Sequence, residues 1–168
     1  MKHRAGVPCS IALLLAWLAA VLQVGCGSLG SAPGANDIRE LHLFGVPVAI
    51  NLDPIPGPDG FAIRVFAGNG RAASGQRIEH GKLEILLFDG GLTEAERHTA
   101  EPLRTWEYTA AKLKAYVAKS SIGWGYRFAP QWGENRPTQD RITVIVRYVS
   151  PSGTVVSSSP SVISMAIK

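Results

Sequence analysis

The residues in this chain that could carry chemistry are few and scattered. Beyond residue 26 the histidines are His42, His80 and His98. No two of them are spaced as a ligand pair on one element, whereas a catalytic zinc needs three converging groups. Each reads as a surface or boundary residue. Asn51, Asp53 and Asp59-Gly60 offer oxygens to calcium, which takes roughly six to eight of them. The intervening Pro54, Pro56 and Pro58 break the spacing of a calcium loop, so turn formation is expected instead. Glu94, Glu96, Glu101 and Glu107 are the carboxylates that could pair for glycoside hydrolysis, yet nothing sets their separation, and they read as a solvated face. Ser157-Ser158-Ser159 and Ser161 lack a nucleophile elbow and a histidine partner. Gly68-Asn69-Gly70 is too short to cradle phosphate, which requires a helix after it. The expectation is a non-catalytic chain with no cofactor, no metal and no identifiable small-molecule substrate.

Aromatic residues are the better candidates for binding. Trp106, Tyr108, Trp124, Tyr126 and Trp132 cluster in sequence, with Arg127 and Arg136 near them. Such side chains anchor interfaces and equally fill sandwich cores. Trp106 and Tyr108 share a face of one strand, as do Trp124 and Tyr126. Trp132, in the loop Pro130-Gln131-Trp132-Gly133-Glu134, is expected to be the exposed one. The candidate binding surface is therefore Trp132, Arg127 and Trp106.

The first 26 residues have a different composition. Lys2, His3 and Arg4 form a basic head, and no charge occurs from Ser10 to Val24. Gly25-Cys26-Gly27 closes the run. A basic head, a short apolar centre and a small-residue exit make a secretory signal, and the apolar run falls short of the roughly 20 residues of a spanning helix. Leu22-Gln23-Val24-Gly25-Cys26 resembles the bacterial lipobox, with Gln23 standing where an aliphatic residue is usual. That resemblance implies cleavage before Cys26, a diacylglycerol on its thiol and acylation of the new terminus. One acyl chain holds only marginally, so two or three are needed for stable attachment. The only other cysteine is Cys9, which would leave with the signal, so the mature domain would have neither a disulfide nor a free thiol. Gly27 follows the cysteine in place of the aspartate that commonly retains lipoproteins at the inner membrane. By resemblance, the location implied is the outer membrane, facing the periplasm, with the membrane a partner through lipid and another envelope protein a further one.

Gly27 to Asn36 is rich in Gly, Ser, Ala and Pro and reads as a flexible tether. The formal charge of +4 less Lys2 and Arg4 leaves +2, with the cations scattered rather than striped, which excludes nucleic acid as a partner. About 130 residues then remain for one domain, enough to bury roughly two-thirds of its surface. Most of it alternates with period two. Val46, Val48, Ile50 and Leu52 form one face; Phe61, Ile63, Val65 and Ala67 another, with Arg64 and Phe66 opposite. Leu83, Ile85 and Leu87 oppose Lys82, Glu84 and Leu86. Ile122, Trp124, Tyr126 and Phe128 oppose Gly123, Gly125 and Arg127. Ile142, Val144, Val146 and Tyr148 oppose Arg141, Thr143, Ile145 and Arg147. A short last strand fits Val162–Ile167. Thr93-Glu94-Ala95-Glu96 has capping-box spacing, and Thr109–Lys119 has the spacing of one amphipathic helix.

These signals predict a mainly β fold: a single antiparallel β-sandwich with one or two short helices over residues 39–168, after a signal peptide (1–25) and a lipidated tether (26–38). Ile142–Tyr148 followed by Ser150-Pro151-Ser152-Gly153 resembles the last hairpin of an immunoglobulin-like or fibronectin type III-like domain. Asn51-Leu52-Asp53-Pro54 with Gly60–Phe66 resembles the early strands of the type VI secretion outer-membrane lipoprotein, which implies an assembly role in a secretion apparatus. The leading expectation is a binding or structural module for another envelope component, and a carbohydrate-binding module is the other alternative.

Overall fold

The period-two runs fold as strands of two antiparallel sheets. The computed structural model describes residues 37–71 and 74–165; the expected signal peptide, Cys26 and the tether up to residue 36 lie outside them. In chain order the elements are β1 (Glu40–Gly45), β2 (Ile63–Gly68), β3 (Lys82–Asp89), β4 (Arg104–Thr109), α1 (Ala110–Leu113), β5 (Val117–Ser120), β6 (Gly123–Phe128), β7 (Arg141–Val149), β8 (Val155–Ser157) and β9 (Ser161–Ser164). The front sheet has the order β1-β2-β6-β5. The back sheet runs β4-β3-β7-β8, with β9 also on β7. This is the strand order of an immunoglobulin-like sandwich, with one extra edge strand (β4) beside the third strand and the last strand split in two.

The core forms where sequence alternation points it. Phe61, Ile63, Val65 and Ala67 from the front sheet meet Leu83, Ile85, Leu87, Ile142, Val144, Val146 and Tyr148 from the back sheet, all buried in one cluster. Each such aliphatic or phenyl side chain contributes about 1.5–3 kcal/mol by leaving water. Ile38 is also buried in this cluster, so the folded domain already includes the end of the expected tether.

Two expectations are corrected. Val46, Val48 and Leu52 are exposed, and the buried residue of that segment is Ala49. Proline has no N–H for a ladder, and at Pro47 the chain leaves β2 and crosses to the back sheet. There Ser164 donates to the Pro47 carbonyl at 2.9 Å, and Ala49 donates to the Ser164 carbonyl at 2.8 Å. Thr109–Lys119 is not one helix. Thr109 caps α1 by accepting from the Lys112 N–H, a single 3-10 turn follows, and Val117 begins β5 opposite Tyr126. Pairing with β6 overrides the helical spacing, and Leu113 is the buried residue of α1. The expected last strand appears as β9, Ser161–Ser164, and residues 166 and 167 of that expectation lie outside the described residues. The capping box does form, with Thr93 donating to Glu96 Oε2 through N–H (2.8 Å) and hydroxyl (2.7 Å), but it opens only the 3-10 turn Glu96–His98.

The middle of the back sheet's outer face is covered by the chain itself, while Thr105 and Val162 at its edges stay exposed. Leu86, Phe88 and Ile145 form a second apolar cluster under Leu92 and Ala100. Beside it, buried Glu84 takes Lys82 Nζ at 2.7 Å and Arg147 Nη2 at 2.8 Å, and Lys82 also reaches Glu107 at 3.2 Å. Burial pushes the Glu84 carboxyl up, but the donors from Lys82 and Arg147 outweigh it and hold the group below its ordinary 4.5. A carboxyl lowered on folding stabilises above its unfolded pKa, and that contribution is lost as the pH falls through the folded value. Glu84→Gln should therefore unfold at lower urea than the parent near neutral pH, with the gap closing below 4.5. Urea midpoints across that range check this, and a gap independent of pH would contradict it.

Candidate functional site

The front sheet's outer face lacks such closure. Strand register places Phe44 of β1 opposite Arg64 of β2, and Arg64 opposite Arg127 of β6. The three form one straight cross-strand row. Both arginines are exposed, and Phe44 is 56% exposed. Like charges directly opposite on neighbouring strands repel, and no ion pair among the described residues includes either guanidinium. The inward neighbours Ile63, Val65, Tyr126 and Phe128 are buried, which fixes the strands that carry the row.

The next row supports Phe44. His42 lies opposite Phe66, and Phe66 is buried although it belongs to the outer face. Its ring lies over Gly125, where a Cβ would come within 2.7 Å of it. Phe44 meets Phe66 edge-on, with ring centroids 5.8 Å apart. Beside the arginines an open groove of about 510 Å³ is lined by Phe44, Gly45, Val46, Ala62, Ile63, Arg64, Arg127, Phe128 and Ala129. A face with two unpaired forks and an apolar groove can hold an oxyanion next to a greasy group.

Of the candidate surface Trp132, Arg127 and Trp106, only Arg127 lies on this face. Trp106 faces inward from β4, half-buried, edge-on to Phe61 at 5.7 Å and with the Arg104 guanidinium 5.1 Å from its ring centre. Trp132, expected to be exposed, is instead 2% exposed. The loop after β6 folds back over the end of the sandwich: Trp132 N–H donates to the Asp59 carbonyl at 3.1 Å, and Gln131 Nε2 donates to Asp59 Oδ2 at 2.7 Å. Arg104 holds the Trp132 carbonyl from the other side. The tryptophan is a core plug rather than a contact surface, and the three candidates do not converge.

Other candidates settle into structural roles. Asn51 accepts from the Asp53 N–H at 3.1 Å, Asp53 from the Ile55 N–H at 2.8 Å, and Asp59 from the Leu52 N–H at 2.6 Å; these are turn bonds. Ser158 sits at the break between β8 and β9, where its hydroxyl accepts from the Val146 N–H at 3.1 Å. Burial beside Tyr116 pushes the Tyr108 hydroxyl up to about 12, so it stays protonated. Trp124 lies between two cations, 3.9 Å from the Arg77 guanidinium and 5.6 Å from Lys119 Nζ. Among the described residues no helix is long and apolar enough to cross a membrane.

No family model matches the chain, and no curated protein matches it significantly. Among solved structures, it is similar to part of the chitinase ChiW from Paenibacillus sp. str. FPU-7, described as a bacterial cell-surface-expressed multi-modular enzyme machinery. The likeness has a TM-score of 0.37 and 13% identity, over 84% of this chain and 10% of that one. The chain thus spans a small part of the chitinase, and a likeness of this size says nothing of what it binds.

Sequence reasoning missed Phe44 and the pairing of Arg64 with Arg127. Arg64 and Phe66 were legible as the outward side of β2, and Arg127 as the outward side of β6. What was lacking was the knowledge that these strands are neighbours. If the arginine pair serves a ligand rather than the fold, removing one member relieves repulsion. Arg64→Thr should then raise the urea midpoint at low salt, and the gain should shrink as salt screens the charges over about 10 Å. A lower midpoint at low salt would show that the pair stabilises the sheet.

Proposed function

We propose that this chain is a lipid-anchored, non-catalytic module of the bacterial cell envelope whose front sheet holds another envelope component. The observation that carries the binding role is the row of Arg64 and Arg127, uncompensated and bordered by the apolar groove at Phe44. Charges kept adjacent at a cost to the sheet imply a partner that offsets it. The anchor rests on the lipobox-like residues that end at Cys26, and the same residues support an outer-membrane location facing the periplasm.

Geometry supports this division of labour. The domain begins at Asp37 and Ile38, which share a surface hollow with Tyr148, Ser150, Ser152 and Thr154 at one end of the sandwich. The Phe44 row lies toward the other end, where β1 finishes and β2 starts. Six residues of β1 at about 3.3 Å each separate those ends by roughly 20 Å. A secretion-apparatus protein or a glycan would occupy the same place, and protein capture separates the two.

The test places a photoreactive amino acid at Val46, an exposed position lining the groove, or at Thr105, an exposed position on the back sheet, in intact cells. A crosslinked partner from position 46 and none from position 105 is the expected result. Mass spectrometry of the same protein should find its amino terminus at a lipidated Cys26. Silence at position 46 in folded, membrane-attached protein would overturn the binding role, and an unmodified peptide running through Cys26 would overturn the anchor.

A further inference from the structure

We infer that the component held by the front sheet is a protein segment carrying a carboxylate beside an apolar side chain. The inference rests on the reading that this face binds at all, and it names the chemistry of the occupant.

Charge complementarity is the first support. A guanidinium presents a planar fork that matches a carboxylate at two points, and two forks stand side by side at Arg64 and Arg127. The back sheet shows the same problem solved internally, where Glu84 lies opposite Arg147 across β3 and β7 and binds it at 2.8 Å. On the front sheet Glu40 lies 3.6 Å from His42, and among the described residues no carboxylate pairs with Arg64 or Arg127, so theirs has to come from outside. One placed over the row would offset both charges and remove the cross-strand repulsion.

The second support is the groove. Arg64 and Arg127 line the same hollow as Phe44, Val46, Ala62 and Ala129, about 510 Å³ in all. A carboxylate on the forks therefore places its neighbouring group against apolar walls. That volume takes one or two apolar side chains, and the exposed Phe44 ring, backed by Phe66, forms the wall beside the charges.

Backbone pairing argues for protein over a lipid headgroup. Phosphate sites commonly use free backbone N–H groups, and β2 is paired on both sides, with β1 and β6.

The test uses the full chain in neutral detergent and isothermal titration. The probe is a blocked pentapeptide alternating Asp and Leu, compared with its Asn counterpart, inorganic phosphate, and phosphatidylglycerol doped into the micelles. The Asp peptide should bind saturably below roughly millimolar concentration, and the Asn peptide should not. Arg64→Gln, Arg127→Gln and Phe44→Ser should each weaken binding, by about tenfold or more for the arginines. Lys112→Gln, which removes a charge elsewhere, should leave it unchanged. Equal binding of the Asn peptide, parent-like binding by the arginine variants, or binding of phosphate or phosphatidylglycerol in place of the peptide would overturn the inference. If position 46 still captures a partner in cells, only the carboxylate chemistry falls; if it captures nothing, the binding role falls with it.

Discussion

A two-layer sandwich buries one face of each sheet in the shared core and leaves the other face of each to solvent or to a covering group. The two sheets here meet that constraint differently. The middle of the back sheet is covered by its own chain, with Leu92 and Ala100 over Leu86, Phe88 and Ile145 and buried Glu84 bonded to Lys82 and Arg147. The front sheet presents Phe44, Arg64 and Arg127 to solvent. Since both faces carry arginine, what separates them is the supply of carboxylate: one sheet has it in register and the other does not.

The front face owes its shape to a few local choices. Gly125 has no Cβ, so Phe66 can lie flat on β6 and become buried outside the core. Phe66 in turn supports Phe44. Pro47 turns the chain away from β2 toward β9, leaving the groove open next to Gly45 and Val46. At the same end Trp132 seals the core through the loop bonds at Asp59, so the sandwich stays closed where its surface is open.

The alternating faces of β2, β3 and β7 were readable because period two is a property of each strand alone, and the sandwich class followed from them. The failures have one cause. The helical spacing of Thr109–Lys119 yielded to β5 pairing with β6, and the alternation of Val46–Leu52 yielded to Pro47 and a crossing to β9. Trp132 was misjudged because its loop is bonded to Asp59, 73 positions earlier in the sequence. In each case a long-range partner decided, and a single sequence does not say which strands are neighbours. Arg127 was found because it lies on the outward side of its own strand. The row it belongs to needed β2 beside β6.

The account turns on whether the front face is covered where the protein resides. The natural cysteines are Cys9 and Cys26, both before the folded domain, so an introduced thiol can report on single positions. Val46→Cys, at an exposed position lining the groove, and Thr105→Cys can be compared for reaction with a membrane-permeant maleimide, in the purified full chain and in intact cells. The account predicts that position 46 reacts freely in the purified chain and is blocked in cells, while position 105 reacts in both. Equal reactivity of position 46 in the two settings would contradict it.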